Sequence, residues 1–189
     1  MSLYTNPVVN EVTVNLHEEL IERCKHGDGK AFQSLYKLYA KSMYNVSYRI
    51  TGREEDAQDA VQESFISAYR NLHSYRADAT FGSWLKRIVV NRSINLIRAR
   101  RMELLPEDGS FDRMEEEPEE VYREGLSIES VRKAILSLPD GYRSVLSLYL
   151  VEGYDHEEIA AILGISESTS KSQLNRAKAK LREQLIKTI

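Results

Sequence analysis

Apolar side chains in this chain return every three or four residues over long stretches, and the period-two alternation that marks a strand is nearly absent. That spacing lines one face of an α-helix, so the chain has to fold as helices packed on one another. Phe32, Leu35, Tyr39, Met43 and Val46 share a face of a helix from Lys30 to about Ile50, with Gly52 as its stop. A short helix over about Glu18–His26 precedes it and ends at Gly27-Asp28-Gly29. Ala57, Val61, Phe65, Ala68 and Leu72 form the buried stripe of a third helix from Glu54 to about Leu72. Thr80, a good capping residue, opens a fourth that runs to about Arg100. Phe81, Trp84, Leu85, Ile88 and Val89 start its inner face, and this spacing makes Trp84 a core residue.

The pattern lapses in "PEDGSFDRMEEEPEE", which holds two prolines, one glycine and few apolar residues. Such a stretch packs poorly and reads as a mobile linker. It sets the expected organisation: a loose N-terminus over 1–15, a helical domain over 16–101, an acidic linker over 102–126 and a second helical domain over 127–189. The fold class expected is therefore all-α, two small helical domains joined by a flexible acidic linker.

The linker also reorganises the charge. Between Glu103 and Glu124 stand ten acids and two arginines, a net of −8 in a chain of net −3, which leaves about +5 for the rest. From Ala79 to Met102 there is no acid, but there are Lys86, Arg87, Arg92, Arg98, Arg100 and Arg101. From Ser166 onward six bases face two acids. Two basic segments flanking an acidic one suit phosphate backbones. They also suit solvated helix faces, and charge alone does not separate the two.

The second half gives a helix from about Glu129 to Leu138 stopped by Pro139, another from Asp140 to about Val151 followed by Gly153, and then a helix-turn-helix. Asp155 and Glu158 form a capping box. Ile159, Ala160 and Leu163 face inward, Gly164 supplies the left-handed turn, and Ser166 caps the last helix. Leu174, Ala177 and Leu181 hold that helix down, so Lys171, Ser172, Asn175, Arg176 and Lys178 face outward, where they can reach phosphates and base edges in a major groove. A plain three-helix packing unit would carry the same apolar pattern.

Composition narrows the chemistry. Cys24 stands alone and His17, His26, His73 and His156 are scattered, so neither a disulfide framework nor a metal site is expected. No apolar run approaches a membrane span and no signal peptide is read, which points to the cytoplasm and to no direct membrane insertion. No nucleophile–base set appears and the acids lack metal-binding spacing, so an enzyme such as a nuclease is not expected, nor any cofactor.

The stretch "YDHEEIAAILGISESTSKSQLNRAKAKLRE" resembles the region 4 domain of an extracytoplasmic-function (ECF) sigma factor of bacterial RNA polymerase. "EEDAQDAVQESFISAYRNLHSYRADATFGSWLKRIVVNRSINLIRARR" resembles region 2 of the same sigma-70 family. The order of the two, the short acidic linker and the total length fit, and the likeness covers about 18–187. It implies a protein that binds core RNA polymerase and directs it to promoters by recognising −35 and −10 elements and aiding melting. The partners it implies are core RNA polymerase (the clamp helices of the largest subunit and the beta flap), promoter DNA, and an anti-sigma factor.

Residue roles follow from the resemblance. Asp59, Glu63, Ile66 and Arg70 fall opposite the stripe of the third helix, which resembles the family's clamp-binding helix; Asp59, Gln62, Glu63 and Ile66 are assigned to that contact. "HSYRADATFGSW" resembles the element that captures a flipped −10 base, with Tyr75 where the family places an aromatic and Asn91 where it has a polar residue facing the same pocket. Arg76, Lys86, Arg87 and Arg92 are assigned to flanking phosphates. Lys171, Ser172, Gln173, Asn175, Arg176 and Lys178 are assigned to the −35 element. The linker, in the family, threads toward the active-site and RNA-exit channels; a solvated spacer is the other reading.

Three positions depart from the family pattern. Ser170 stands where a β-branched apolar residue is usual and is expected to weaken helix packing slightly. Gln173 replaces a frequent arginine and Asn175 a frequent ring, and both amides suit adenine. A free-standing helix-turn-helix regulator is the alternative, but it needs a dimer interface, and no heptad seam or long exposed apolar stripe supplies one.

Overall fold

The computed structural model describes residues 17–104 and 127–187. The loose N-terminus read for 1–15, and the linker apart from its first three residues, lie outside the described residues. Within them the chain is eight α-helices and one 3-10 turn, with no strand. Helix α1 covers 17–25, α2 Gly29–Thr51, α3 Glu54–Arg70, and the 3-10 turn Leu72–Ser74. Helix α4 is Phe81–Leu104, α5 Ile128–Leu136, α6 Asp140–Leu150, α7 His156–Leu163 and α8 Glu167–Lys187.

Helices α2, α3 and α4 pack on one another around Leu35, Val46, Ile50, Val61, Phe65, Leu85, Val89 and Ile94, all buried. Each such side chain contributes about 1.5–3 kcal/mol by leaving water. Inside this core the hydroxyls of Ser47 and Ser93 pair at 2.8 Å and that of Ser93 donates to the Val89 carbonyl at 2.8 Å, so both buried hydroxyls are satisfied. The whole expected stripe of α3 is buried, from Ala57 to Leu72. Gly52 ends α2 in the left-handed conformation (φ 70°), its N–H returning to the Tyr48 carbonyl. The Thr80 hydroxyl caps α4 by accepting from the Ser83 N–H at 3.2 Å. Helix α4 runs to Leu104, three residues into the stretch expected to be linker.

In the second group α8 packs against α5, α6 and α7. The capping box at Asp155 and Glu158 is formed, Gly164 turns at φ 65°, and the Ser166 hydroxyl accepts from the Thr169 N–H at 3.1 Å. Six successive residues of α6, Arg143 to Leu148, are buried. A helix with one covered face cannot bury six in a row. Helix α6 is covered on two sides, by α8 from its own group and by α2 from the first.

That second contact joins the groups. Arg143, 4% exposed, donates to the carbonyls of Ile50 (3.2 Å) and Thr51 (2.7 Å) at the end of α2, and to Leu138 (2.7 Å) behind it. Arg100 of α4 bridges Asp56 and Asp140, each at 2.5 Å. Arg98 donates to the Ile162 carbonyl at the end of α7, at 3.1 Å. Each group thus lends the other an arginine at a helix C-terminus, where unpaired carbonyls and the helix dipole favour a cation.

Candidate polymerase and nucleic-acid interfaces

On α3, Asp59, Gln62, Glu63 and Ile66 are all exposed, Ile66 at 45%. The buried stripe at Ala57, Ala60, Val61, Ser64 and Phe65 fixes the roll of the helix and turns this face outward. A shallow groove between α2 and α3, lined by Tyr36, Ala40, Lys41, Tyr44, Gln58, Val61 and Gln62, extends it. Tyr36 and Tyr69, which the sequence reading did not single out, border this face. Both are exposed at one edge but packed on the rings of Phe65 and Phe32 respectively. Glu63 forms an ion pair with Arg92 of α4. The expected polymerase face and the expected −10 face therefore meet at their border.

The loop before α4 is built around rings. Tyr75 stands edge-on to Phe81 (5.6 Å between centroids, 87°) and beside Trp84 (5.4 Å), while Tyr39 also meets Phe81 edge to face (5.3 Å, 64°). The Tyr75 hydroxyl donates to the Ala79 carbonyl at 2.8 Å and so closes the loop, in which Ala77 takes a left-handed backbone (φ 61°). Burial, with Glu18 nearby, pushes the Tyr75 phenol above its ordinary value, and it stays neutral at physiological pH. Trp84, expected in the core, is half-buried: it packs against the core and keeps part of its surface open beside Tyr75. Asn91 is exposed seven residues on, which is the Trp84 face of α4. Arg76 and Arg87 are also exposed. Lys86 is engaged across the groups: Glu152 lies 3.4 Å away and the Tyr154 ring 5.7 Å.

On α8, Leu174 and Ala177 are buried, which sets its outward side. Lys171 and Asn175 are exposed; Lys171 pairs with Glu167 at 2.6 Å. Ser172, Arg176 and Lys178 are half-buried, and the Ser172 hydroxyl donates to the Thr169 carbonyl at 3.0 Å. The Arg176 Nε is buried and meets no hydrogen-bond partner among the described residues. Gln173 lies to the side: its amide oxygen approaches Gly141 of α6, where a methyl group would stand 3.6 Å from it. Ser170 is fully buried but is no packing defect, because its hydroxyl pairs with His156 Nδ1 at 2.9 Å. His156 in turn stacks on Tyr149 with centroids 4.6 Å apart. The hydrogen bond offsets the cost of burying a hydroxyl, and it ties the start of α7 to the first turn of α8. The residue pair, fourteen apart, has no local signature.

Two family models match in order along the chain: "Sigma-70 region 2" over residues 35–103 and "Sigma-70, region 4" over residues 128–181. The ECF RNA polymerase sigma factor SigW of Bacillus subtilis is 32% identical over 176 residues, which is 87% of this chain and 94% of that protein. The chain belongs to the ECF RNA polymerase sigma factors. SigE of Mycolicibacterium smegmatis is 36% identical over 170 residues, 85% of this sigma factor and 65% of its relative. Two solved structures have the same fold at 26% identity. One is the sigma factor RpoE in complex with the anti-sigma factor NepR from Bartonella quintana (TM-score 0.55, 82% of this chain and 97% of that one). The other is CnrH in complex with the cytosolic domain of CnrY (TM-score 0.52, 90% and 97%). A sigma factor directs RNA polymerase to promoters, and the free-standing regulator gives way to that function. None of the helices among the described residues is long and apolar enough to cross a membrane.

Proposed function

We propose that this sigma factor binds core RNA polymerase through the outer face of α3, with Asp59, Gln62, Glu63 and Ile66 on the clamp helices and the beta flap on the second group. The first group, 16–101 with the end of α4, takes the −10 element: Tyr75 and Asn91 hold a flipped base, and Arg76, Lys86, Arg87 and Arg92 hold flanking phosphates. The second group, 127–189, takes the −35 element through Lys171, Ser172, Asn175, Arg176 and Lys178 of α8. Gln173 contributes from the flank. What supports the reading is the succession of the two sigma-70 regions along one chain, together with exposed Ile66 amid the acids of α3 and exposed Asn91 on the Trp84 side of α4.

The matched sigma factor RpoE is in complex with the anti-sigma factor NepR, and we extend that partner class to this chain. Its work is binding and strand separation in the cytoplasm, with no catalysis of its own. Transcription with purified core polymerase on genomic promoters tests the proposal. Transcripts from a subset of promoters are expected when the chain is added, and their absence at saturating chain refutes it.

A further inference from the structure

One face of α8 is held down by three buried residues about a turn apart, Ser170, Leu174 and Ala177. Leu174 and Ala177 hold by burial, which has no direction. Ser170 is the polar member and stands in the first turn of α8, next to Lys171 and Ser172. Its hydroxyl bonds the Nδ1 of His156, the first residue of α7, at 2.9 Å, and has no second partner among the described residues. A hydroxyl with one partner satisfies its hydrogen only by donating, so Ser170 donates to Nδ1 and the ring hydrogen sits on Nε2. The imidazole is fixed in turn by lying on Tyr149 of α6, with centroids 4.6 Å apart and planes 21° from parallel. Around the ring, α6 offers the Tyr149 phenol. Its own turn carries Glu157, with Asp155 and Glu158 engaged in the capping box. On α8, Glu167 and Lys171 pair with each other at 2.6 Å. From α4, Arg98 meets the far end of α7, at the Ile162 carbonyl.

We propose that His156 is a positioning residue for −35 readout: through Ser170 it sets the roll of the first turn of α8, and a second proton on the ring resets that roll and weakens the choice of sequence. The proposal rests on the sigma-factor reading above for the DNA that α8 meets. A side-chain tip about 6 Å from a helix axis moves about 1 Å when the helix rolls by about 10°. Hydrogen bonds hold over a range of only about 0.5 Å. A small roll therefore changes which base edges Lys171 and Asn175, both exposed, can reach. Protonated imidazole carries a hydrogen on both nitrogens. Nδ1 must then donate to Ser170, and the buried Ser170 hydrogen loses its acceptor. The carbonyl that a helix offers it is that of Ser166, four residues back, which already takes the Ser170 N–H at 3.0 Å. Back-bonding of this kind strains and bends helices, here at the end that enters the groove.

The experiment uses the full chain and three variants, each assembled with core polymerase. Ser170→Ala removes the hydroxyl, His156→Phe keeps a ring without its nitrogens, and His156→Asn keeps an acceptor in place of Nδ1 that does not titrate. Competition binding compares a promoter duplex carrying the −35 sequence that the parent selects from a randomised pool with a copy scrambled over that stretch. Their ratio cancels what pH does to polymerase and DNA in general. In the parent the ratio should fall about fivefold, the worth of one weak base contact, between about pH 8 and about pH 5.5, where histidine titrates. Ser170→Ala and His156→Phe should show the parent's acid value at both pH values, with helix content by circular dichroism unchanged. His156→Asn should hold the parent's high value at both. If Ser170→Ala keeps the parent's ratio at both pH values, or His156→Asn either keeps the pH dependence or loses the discrimination, the proposal is overturned. Absent transcripts with the parent overturn the sigma reading instead, and the seating of α8 is then read in the free chain by nuclear magnetic resonance. There the backbone amides of 167–172 should follow the titration of the His156 ring in the parent and stay still in His156→Asn; amides indifferent to the ring overturn the proposal.

Discussion

Replacing Gly52 by alanine puts a methyl carbon where the Arg143 guanidinium now lies. Built on the present backbone it would stand 2.6 Å from Cζ and 2.8 Å from Nη2. The backbone cannot yield, because φ is 70° and a side chain there already costs about 1 kcal/mol. Arg143 has to withdraw instead, and it is pinned on the carbonyls of Ile50 and Thr51. Losing one hydrogen bond from a charged donor costs about 1.5–3 kcal/mol. The expected total is about 2.5–4 kcal/mol, read by urea unfolding followed by far-ultraviolet circular dichroism. The decisive comparison is a double-mutant cycle with Arg143→Ala. With the guanidinium gone the methyl group has room, so Gly52→Ala should then cost only about 1 kcal/mol. If Gly52→Ala costs the same in both backgrounds, the closeness of Arg143 is irrelevant to Gly52 and the reasoning fails.

Ile66→Lys should lower affinity for core polymerase at least about tenfold with an unchanged unfolding midpoint, because an exposed side chain supports no core; a pull-down with full retention contradicts it. Tyr75→Ala and Asn91→Ala should each reduce permanganate-reactive open complex while −35 binding persists; normal melting in both would reject the base-holding roles. Arg176→Ala should cost about 1–3 kcal/mol and relax preference at one −35 position in a selection over randomised sites; an unchanged consensus at unchanged stringency speaks against base readout. Burial opposes ionisation of Asp140, but Arg100 and Arg143 more than offset it and hold the carboxyl below its ordinary 3.8. A depressed carboxyl stabilises the fold above its unfolded value and loses that contribution as pH falls through its folded value. Asp140→Asn should therefore be less stable than the parent near neutrality, the gap narrowing below about pH 3.8; a gap that widens in acid would refute this.

Much of the local structure was legible because its causes are local. The α3 stripe, the glycine stops at 52 and 164, and the box at Asp155 and Glu158 all use neighbours within a few residues. Legible too was the outward side of α3, since five buried positions fix its roll. The contacts joining the groups were not legible. Arg49 and Glu152 are 103 residues apart, Arg100 and Asp140 40, and nothing near either partner marks the pairing. One clue did exist in "RSVLSL": it has no polar face of its own, because Arg143, Ser144 and Ser147 are spent on buried hydrogen bonds or close packing. The surface of α8 proposed for the −35 element was legible only in part. Half-turn offsets around a helix separate Lys171 from Gln173, and only the position of α6 decides that the amide lies to the side.

The side of α6 turned toward α2 carries Arg143 and Ser147, whose side chains donate to backbone carbonyls of the first group. These polar bonds stand beside apolar packing, since Val145, Leu146 and Leu148 belong to the same buried cluster as Val46, Ile50 and Leu85. Water can replace each donor's partner and each carbonyl's donor, at a net cost of about a kilocalorie per mole or so for each ordinary bond. The polar part of the seam is therefore one that water can satisfy on opening, whereas a seam of leucines alone in the same place would bare a surface that aggregates.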